Sequence, residues 1–538
     1  MLQGERGILF KLLTVVMAVI AASSSGGLFA QSIPDSQRQN PWFRDGVNHI
    51  NSRLDSQRRQ AGASPAKNVI LFIGDGMGVS TLSAARILSG QRLGASGEEA
   101  SLSFERFAHT ALVKTYNLDA QIPDSSGTMT AMMSGVKTNT GVLGVNASVR
   151  LGNCLQVGGN ELASALDLAE MKGLATGIVS TARITHATPA AAYAKSANRA
   201  WEDISDQPAS VIEQGCEDIA LQLVNFEQNL EQREPELDVD GIDVVLGGGR
   251  RHFLPANPDT DLISSYGQGS GDRTDERNLV EEWVQRYPDG RYVFDGAGLA
   301  ALDTATTDRL FGLFSSSHMQ YEAARVQSEG AQPSLSQMVV KAVEVLRKKP
   351  EGFLLIVESG RIDHAHHAGN AFGALSDTLA LSTAVEAALS LTDTTDTLIM
   401  VTADHSHVLT FSGYPRRGNP ILGKVVSAGD VLPALASDGL PYTTLGYANG
   451  RGFRDYGPNP DPDRSYSDPV VGGRQNLTNI DTEASGFHQE VLVPLVSESH
   501  AGEDVSLHAT GAGAFRVQGT IEQNLIFHII DQAAGLTQ

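Results

Sequence analysis

The sequence predicts an α/β fold in which helices cover both faces of a central, mainly parallel sheet. Short continuous apolar runs recur along the chain, as expected for strands that are buried on both sides. Segments with helical periodicity lie between several of these runs, and strands that alternate with helices form parallel sheets. Three of the runs are followed within two residues by an acidic residue. Because ligands of such folds bind beyond the carboxyl ends of the strands, this edge of the sheet is the predicted site.

The chain begins with a pattern that is typical of an exported protein. Arg6 and Lys11 accompany an apolar run over 12–22, and small residues follow, which predicts a signal peptide over residues 1–30. The run is short for a membrane span, and a retained N-terminal anchor is the alternative. No cysteine lies near the cleavage site, and no later stretch is long and apolar enough for an anchor. We therefore predict a periplasmic or secreted protein without a membrane anchor.

The elements of the predicted fold follow in order along the chain. Continuous apolar runs predict strands over 68–73, 175–180, 242–246, 353–357 and 397–402. Helical periodicity predicts helices over 81–88, 336–348 and 374–391. A further helix is predicted to begin at Ser125, because Asp and Ser accept hydrogen bonds from the free N–H groups of a first turn. Two polar stretches, 226–243 and 267–277, are interpreted as solvated loops or faces.

Composition separates the flanking regions from the α/β core. Residues 31–67 are polar, with an apolar-spaced patch over 42–50, and are predicted to form an N-terminal arm. Residues 413–490 are rich in Gly, Pro, Asp and Asn, which is typical of an irregular inserted subdomain or a long loop. The α/β catalytic domain is accordingly predicted over 68–412 and 491–538.

The charge of the chain restricts its ligands. Its 538 residues include 62 Asp and Glu against 40 Lys and Arg, a formal net charge of -22. Such acidity argues against a nucleic-acid-binding surface and against binding to anionic lipid. An acidic protein can still bind an anionic substrate when bound cations reverse the local field. Export would place Cys154 and Cys216 in an oxidising compartment, where a disulfide is the natural expectation and two separately buried thiols are the alternative.

Acidic residues at the strand ends predict a metal centre. Asp75, Glu358 and Asp404 follow three of the predicted strands. Carboxylates gathered at one edge would raise one another's pKa unless cations held them. Asp363 and His367 are spaced i,i+4, so they can share a helical face and chelate one ion. Because zinc takes both carboxylate and imidazole ligands, the pair predicts a zinc site.

Other residues near these motifs are ambiguous by themselves. Ser125 fits a helix cap, but it also fits a nucleophile, since the N–H groups of a helix N-terminus attract an anion. His405 directly follows Asp404 and forms with it a second candidate metal-binding pair. His364 and His366 are interpreted as part of a solvated surface run.

Six short motifs occur together and in order, and this ordered set is highly specific. They are Asp75-Gly76-Met77-Gly78, Asp124-Ser125, His186-Ala187-Thr188, Arg361-Ile362-Asp363-His364, Thr402-Ala403-Asp404-His405 and His500-Ala501-Gly502-Glu503-Asp504. On these motifs the chain resembles the alkaline phosphatases, from about Pro41 to its C-terminal region. The resemblance implies a metal-dependent enzyme of broad specificity that hydrolyses phosphate monoesters to an alcohol and inorganic phosphate.

The resemblance also implies a role for each matching residue. Ser125 would be the nucleophile that becomes phosphorylated. Arg199 would bind the phosphate, since a guanidinium can hold two phosphate oxygens at once. Two Zn²⁺ and one Mg²⁺ per subunit are expected, and coordination would replace a histidine base in activating the hydroxyl. One zinc ion would be held by Asp75, Asp404 and His405, the other by Asp363, His367 and His500, and magnesium by Asp75, Thr188 and Glu358 with His186 nearby or as a ligand.

Departures from the family pattern refine this assignment. His186 lies where some bacterial members have Asp, so the chain is identified as a secreted bacterial member of a vertebrate-like subgroup. Those relatives can carry a fourth, calcium-like site, and the corresponding positions here are Ser315 and Gln332, which argues against that site. Cys154 and Cys216 match a family disulfide by position.

Two regions outside the α/β core also resemble parts of the family. Residues 413–490 resemble the crown insertion of the family and the patch over 41–54 its subunit-embracing arm, which implies a homodimer.

A phosphodiesterase or sulfatase of the same superfamily is the alternative function. Arg199 favours monoesters, because the extra substituent of a diester would crowd the guanidinium. The sequence around Ser125 lacks the Cys/Ser-x-Pro-x-Arg pattern of a sulfatase. A cation-stabilised structural protein, the third possibility, would need no ordered nucleophile.

Overall fold

The computed structural model describes residues 65–256, 270–328, 331–455 and 473–537. The predicted signal peptide, the apolar patch of the predicted arm and part of the predicted insertion lie outside these residues. The described residues belong to one unit, Arg59–Gln538. Among them, no helix has both the length and the apolar character that a membrane crossing requires.

Strands and helices alternate along the described chain. The strands are β1 Asn68–Gly74, β2 His109–Lys114, β3 Ala175–Arg183, β4 Val244–Gly248, β5 Arg291–Val293, β6 Leu310–Leu313, β7 Phe353–Ser359, β8 Thr397–Ala403, β9 Ser406–His407, β10 Leu409–Phe411, β11 Leu445–Gly450, β12 Arg454–Asp455, β13 Phe487–His488, β14 Val491–Pro494, β15 His500–Ala501, β16 Val505–Gly511 and β17 Gly519–Glu522. The helices are α1 Val79–Arg92, α2 Ser125–Ser134, α3 Ala165–Met171, α4 Ala187–Ala190, α5 Ala209–Glu213, α6 Ile219–Val224, α7 Phe226–Arg233, α8 Leu279–Arg286, α9 Gly296–Ala301, α10 Glu322–Gln327, α11 Leu335–Leu346, α12 Arg361–His367, α13 Ala371–Leu391 and α14 Leu525–Ala534.

The central sheet is mainly parallel, as the sequence predicts. Its strands in the described chain lie in the order β17-β2-β16-β8-β1-β7-β3-β4-β6-β5. Only β16 runs antiparallel to its neighbours in this sheet. The side chains of β1, β3, β7 and β8 are nearly all buried, because a sheet covered on both faces leaves no side for solvent. The predicted strands and helices are therefore confirmed, with ends that differ by a few residues.

Two groups of helices cover the sheet. Helices α1, α11 and α13 form one group, in which α13 packs against both α1 and α11. Helices α2, α3 and α14 pack against one another in the second group. The connection from β7 to β8 contains α13 and moves across the sheet toward its β17 edge. The connection from β2 to β3 contains α3 and moves across the sheet toward the opposite edge, at β5. Since crossovers between parallel strands are right-handed, helices of opposite crossovers lie on opposite faces.

Small sheets join the C-terminal part of the chain to the end of β8. The pairing of β9 with β15 places His407 opposite His500. A three-stranded sheet has the order β10-β11-β14. Strand β11 lies inside the predicted insertion, and the other two strands flank it. Both ends of the predicted insertion therefore lie beside the same small sheet.

Part of the prediction of solvated polar stretches is wrong. In α7, Phe226 and Leu230 are buried, because they are spaced i,i+4 and form an apolar stripe within an otherwise acidic segment. Arg273 is 1% exposed and forms ion pairs with Asp218 and Asp275. Burial of this arginine is possible because both partners neutralise it.

Cys154 and Cys216 form the expected disulfide. The bond ties α5 and its surroundings to the segment that follows α2. The cysteines border a second, small hydrophobic cluster that contains Trp201.

Candidate metal centre and active site

The carboxyl ends of three adjacent strands bring acidic residues together. In the paired register, Ile73 of β1 lies opposite Glu358 of β7 and opposite Thr402 of β8. The chain leaves β1 through Asp75 and leaves β8 through Asp404, so both side chains come from the same edge as Glu358. All three carboxylates are buried.

Ser125 is the first residue of α2, as predicted. Asp124 is the N-cap of this helix, and its side chain accepts a hydrogen bond from the backbone N–H of Gly127. Ser125 is 2% exposed, and its Oγ lies 3.3 Å from Nε2 of His405. Burial and the neighbouring His500 lower the pKa of His405 well below its ordinary value. The hydroxyl group therefore lies beside a neutral imidazole at the edge of the clustered carboxylates.

A first cluster surrounds His405. Its Nε2 lies 3.4 Å from Oδ1 of Asp75 and 3.3 Å from Oδ2 of Asp404. The structure thus brings together the three residues predicted for one zinc ion. Asp363 joins them, because potential ligand atoms of Asp75, Asp363 and His405 lie within 4.8 Å of one another. Burial, followed by the charges of neighbouring carboxylates, raises the pKa of Asp75 well above its ordinary value.

Asp363 also belongs to a second cluster. Its Oδ1 lies 3.4 Å from Nε2 of His367 and 3.4 Å from Nε2 of His500, the two histidines predicted to share a zinc ion with it. The sequence prediction does not include His407, whose Nε2 lies 2.7 Å from the same oxygen. Potential ligand atoms of all four residues lie within 4.8 Å of one another.

His407 connects this cluster to Glu498, which the prediction also lacks. Its Nδ1 lies 2.6 Å from Oε2 of Glu498. Burial disfavours the charged imidazole, but Glu498 and Asp363 outweigh it and raise the pKa of His407 to about 10. The backbone oxygen of Glu498 also lies 2.7 Å from Nδ1 of His367. Glu498 and His407 therefore orient both Asp363 and His367.

A third cluster contains the residues predicted for magnesium. Oγ1 of Thr188 donates a 3.5 Å hydrogen bond to Oδ2 of Asp75. Potential ligand atoms of Asp75, His186 and Glu358 lie within 4.8 Å of one another. Glu358 also accepts a hydrogen bond from Ser180, which lies opposite it in the register of β3 and β7 and is absent from the prediction. Burial raises the pKa of Glu358 to about 7.

Four buried polar atoms of these clusters have no hydrogen-bond partner in the described chain. They are Oδ1 of Asp75, Nδ1 of His186, Oε1 of Glu358 and Oδ2 of Asp404. Unpaired buried carboxylate oxygens are costly, and crowding several of them increases the cost. Divalent cations would satisfy the three carboxylate oxygens. Mixed carboxylate and imidazole donors suit zinc, whereas the oxygen donors around Glu358 suit magnesium, so the residues fit both kinds of ion.

Arg199 lies between the helix cap and the third cluster. Its Nη1 lies 3.2 Å from Oδ2 of Asp124, and its Nη2 lies 3.3 Å from Nε2 of His186. The side chain is 26% exposed, so the guanidinium can be reached from solvent. Burial opposes ionisation of Asp124, but Arg199 and hydrogen-bond donors outweigh it and lower the pKa of this carboxyl.

The interpretation of His364 and His366 as solvated residues is wrong. His366 is fully buried, with Nε2 3.0 Å from Oγ1 of Thr81 and Nδ1 2.8 Å from the hydroxyl of Tyr447. His364 is half-buried, and its Nδ1 lies 3.1 Å from Arg361. Helix α12 follows β7 directly inside the fold, so protein surrounds more than one of its faces.

The positions expected for a fourth site carry no carboxylate. The side chain of Gln332 accepts a hydrogen bond from the N–H of Gln320. Another group of metal-binding residue types, Asp203, His252 and Asp272, does lie together in the described chain. Its charges are already compensated, because Asp203 pairs with His252, and the Arg251 guanidinium lies 3.1 Å from Asp272.

Comparisons with known proteins agree on one family. A family model for alkaline phosphatase matches residues 66–536. The chain is 42% identical to the tissue-nonspecific alkaline phosphatase of Gallus gallus, over 94% of this chain and 91% of that protein. It is 41% identical to the tissue-nonspecific isozyme of Homo sapiens, over 93% of this chain and 90% of that protein. It is 39% identical to an alkaline phosphatase of Gadus morhua, over 95% of this chain and 99% of that protein.

Solved structures resemble the fold. The alkaline phosphatase of Thermus thermophilus matches with a TM-score of 0.60 and 24% identity, over 94% of this chain and 96% of that one. The alkaline phosphatase of the Antarctic bacterium TAB5 matches with a TM-score of 0.56 and 21% identity, over 88% of this chain and 100% of that one.

Proposed function

Because the chain belongs to the alkaline phosphatase family and is a metal-dependent enzyme that hydrolyses phosphate monoesters, we propose that Ser125 is its nucleophile and forms a phosphoserine intermediate. The observation that carries this proposal is the position of the hydroxyl group. It lies at the N-terminus of α2 and 3.3 Å from His405, at the edge of the clustered carboxylates. The N–H groups and the dipole of a helix N-terminus favour an incoming phosphate.

The proposed cofactors are two Zn²⁺ and one Mg²⁺ per subunit. When bound, the ions lower the pKa of a coordinated hydroxyl and neutralise charge on phosphate oxygens. The proposed zinc sets are Asp75, Asp404 and His405, and Asp363, His367 and His500; the proposed magnesium set is Asp75, Thr188 and Glu358.

The proposed role of His186 depends on which of its ring nitrogens carries the proton. The Arg199 guanidinium can only donate, so Nε2 of His186, 3.3 Å away, must act as the acceptor. A neutral imidazole then carries its proton at Nδ1, the nitrogen without a hydrogen-bond partner in the described chain. Since a protonated nitrogen cannot ligate a metal ion, His186 is proposed to donate a hydrogen bond into the magnesium site.

The residues of this chain divide the proposed reaction between them. Arg199 holds two oxygens of the phosphate, while Asp124 holds the other side of the guanidinium. In-line displacement at phosphorus joins the phosphoryl group to Ser125 and releases the alcohol. Water then attacks the same phosphorus atom, which releases inorganic phosphate and restores the hydroxyl of Ser125.

The proposed biological setting rests on sequence features. Periplasmic or secreted localisation is supported by the signal-peptide pattern and is compatible with the disulfide. A homodimer is proposed from the resemblance of residues 413–490 and 41–54 to the crown and arm of the family. We also propose broad specificity for small phosphate monoesters. A phosphodiesterase or sulfatase is not favoured, because the matching family and the curated relatives are alkaline phosphatases.

One assay tests the proposed activity and its cofactors together. Turnover of a chromogenic phosphate monoester, a diester and a sulfate is compared before and after chelation and after zinc and magnesium are restored. We expect the monoester to dominate and its hydrolysis to be lost on chelation and regained on restoration. Monoester hydrolysis that is absent or indifferent to the chelator contradicts the proposal.

A substitution tests the nucleophile. Ser125→Ala should retain zinc but abolish trapping of a phosphoenzyme at acid pH, because the acceptor oxygen is gone. Ser126→Ala is the matched control: the hydroxyl of Ser126 donates a 2.6 Å hydrogen bond to Asp124, and its loss should leave phosphoenzyme trapping intact. Trapping that survives in Ser125→Ala would place the nucleophile elsewhere.

A further inference from the structure

Behind Arg199, three histidine rings form one packed group. The ring of His186, which contacts Arg199, lies 5.4 Å from the ring of His318 and 5.4 Å from the ring of His364, measured between centroids. The rings of His318 and His364 are 4.1 Å apart. The orientation of His186, and with it the contact to Arg199, therefore depends on where His318 is held.

Arg183, the last residue of β3, holds His318 from two directions. Its backbone N–H lies 3.2 Å from Nδ1 of His318, and its Nη1 lies 2.5 Å from Nε2. Since a neutral imidazole accepts at only one nitrogen, its tautomer decides which of these two contacts is a hydrogen bond. The backbone oxygen of Arg183 also accepts a 2.9 Å hydrogen bond from the N–H of His186. One residue thus links both histidines to the end of the strand.

Glu202 in turn prevents Arg183 from turning. Nε and Nη2 of Arg183 lie 2.7 and 2.5 Å from the two carboxylate oxygens of Glu202, a paired geometry that fixes a guanidinium in its plane. Glu202 also accepts a 2.6 Å hydrogen bond from Thr185 and lies 3.3 Å from Nε2 of His252. Nδ1 of His252 lies 2.5 Å from Asp203. The Arg183–Glu202 ion pair is therefore anchored in a largely buried network.

We propose that Arg183, Glu202 and His318 are positioning residues for phosphate recognition, which fix His186 and, through it, the guanidinium of Arg199. This inference rests on the phosphate-binding role proposed for Arg199. The described hydrogen bonds of the three side chains do not reach Ser125 or the carboxylates of the metal centre. A guanidinium held by Asp124 on one side and His186 on the other is oriented before phosphate arrives, so less ordering is needed on binding.

The first test measures phosphate binding in the metal-loaded, full-length enzyme. His318→Ala should raise both the inhibition constant of inorganic phosphate and the KM of a chromogenic monoester roughly five-fold, as expected for one lost supporting interaction. Metal content and kcat should change much less. His318→Asn, which retains an acceptor for Arg183, should restore most of the affinity. His508→Ala is the control, because His508 of β16 packs against Phe104 and makes no described contact with this network.

A double-substitution cycle decides whether His318 acts through Arg199. In an Arg199→Ala background, His318→Ala should have no further effect on phosphate inhibition, because its target is gone. The proposal would be overturned if the effects of His318→Ala and Arg199→Ala on the inhibition constant multiplied in the double variant. It would also be overturned if Arg199→Ala changed the inhibition constant while both single His318 variants left it unchanged. If Arg199→Ala itself left phosphate inhibition unchanged, the phosphate-binding role of Arg199 and this inference would both be wrong. Glu202→Gln, which weakens the grip on Arg183 without touching any histidine ring of the group, should shift phosphate inhibition in the same direction as His318→Ala.

Discussion

His407 lies between two carboxylates, with Asp363 on one ring nitrogen and Glu498 on the other. Both nitrogens are at hydrogen-bond distance from acceptors, which explains why the pKa of this histidine is raised to about 10 against the effect of burial. Asp363 is a proposed zinc ligand, and residues that orient a ligand commonly control metal affinity. The side chain of His407 therefore supports the metal centre whether or not it ligates an ion itself.

We predict that His407→Ala lowers zinc affinity by roughly ten- to hundred-fold, because Asp363 loses its partner and Glu498 is left unpaired. The measurement is zinc retention against a competing chelator of known affinity, with Tm recorded in parallel. His508→Ala should retain zinc as the wild-type protein does. Equal zinc retention in His407→Ala and wild type would show that Asp363 is oriented by other contacts.

At the scale of elements, two buried carboxylates meet where β3 and β4 begin, at the edge opposite the metal centre. Thr176 donates its hydroxyl to Glu170 of α3 and its backbone N–H to Asp243, which precedes β4. Burial, followed by the charge of Asp243, raises the pKa of Glu170 to about 8. Burial raises the pKa of Asp243 to about 6. The folded protein therefore holds Glu170 mostly protonated at neutral pH.

This contact makes stability depend on pH in a definite direction. The unfolded chain releases the Glu170 proton near its ordinary pKa of 4.5, whereas the folded protein keeps it up to about pH 8. Stability should fall as pH rises between these values, because the unfolded state binds fewer protons. We predict that Glu170→Gln removes this loss. The unfolding free energy of the variant should therefore gain about 3 kcal/mol relative to wild type between pH 6 and pH 9.

Denaturant unfolding of both proteins at several pH values checks this prediction. Exposed Glu213 of α5 offers the matched control, since Glu213→Gln should leave the pH dependence of wild type unchanged. Parallel pH profiles for Glu170→Gln and wild type would contradict a raised pKa at this position.

On the scale of the whole molecule, the metal centre is where distant parts of the chain meet. Strand ends, α2, the β9–β15 pair and the segment after β3 all contribute to it. Its carboxylates are buried together, and burial raises the pKa of Asp75, Glu358 and Asp404. Asp363 differs, because burial is outweighed there by its histidine neighbours, which lower its pKa. Cations that neutralise this cluster should stabilise the entire fold.

We predict that chelation lowers Tm by roughly 10 °C at pH 8.5 and by clearly less at pH 5.5. Without cations, a carboxyl group with a raised pKa stabilises the fold only while it is protonated. This stability is lost as pH rises from the ordinary pKa of the group toward its raised pKa, which is about 7 for Glu358. Protons can therefore replace the cations in part at pH 5.5 but not at pH 8.5. Scanning calorimetry with and without chelator checks this, and adding zinc and magnesium should restore Tm. An equal decrease at both pH values would contradict it.

The sequence by itself determined the α/β class, the strands and helices that carry it, and the side chains at the carboxyl ends of β1, β7 and β8. These features depend on local rules. A buried parallel strand must be apolar along its length, and a helix start needs a cap such as Asp124. The ordered motifs also identified the family, and the predicted site residues from Asp75 to His500 lie together in the structure.

The tertiary structure alone decided which of these side chains touch. His407 and Glu498 join the metal centre only because β9 pairs with β15, and Asp363 takes part in two clusters rather than one. His366 and Arg273 look solvated in a polar stretch of sequence, yet packing buries them beside partners far along the chain. The physical reason is common to all five residues. Periodicity reports the environment of neighbouring residues, whereas contacts between residues far apart in sequence are set by how sheets and helices pack.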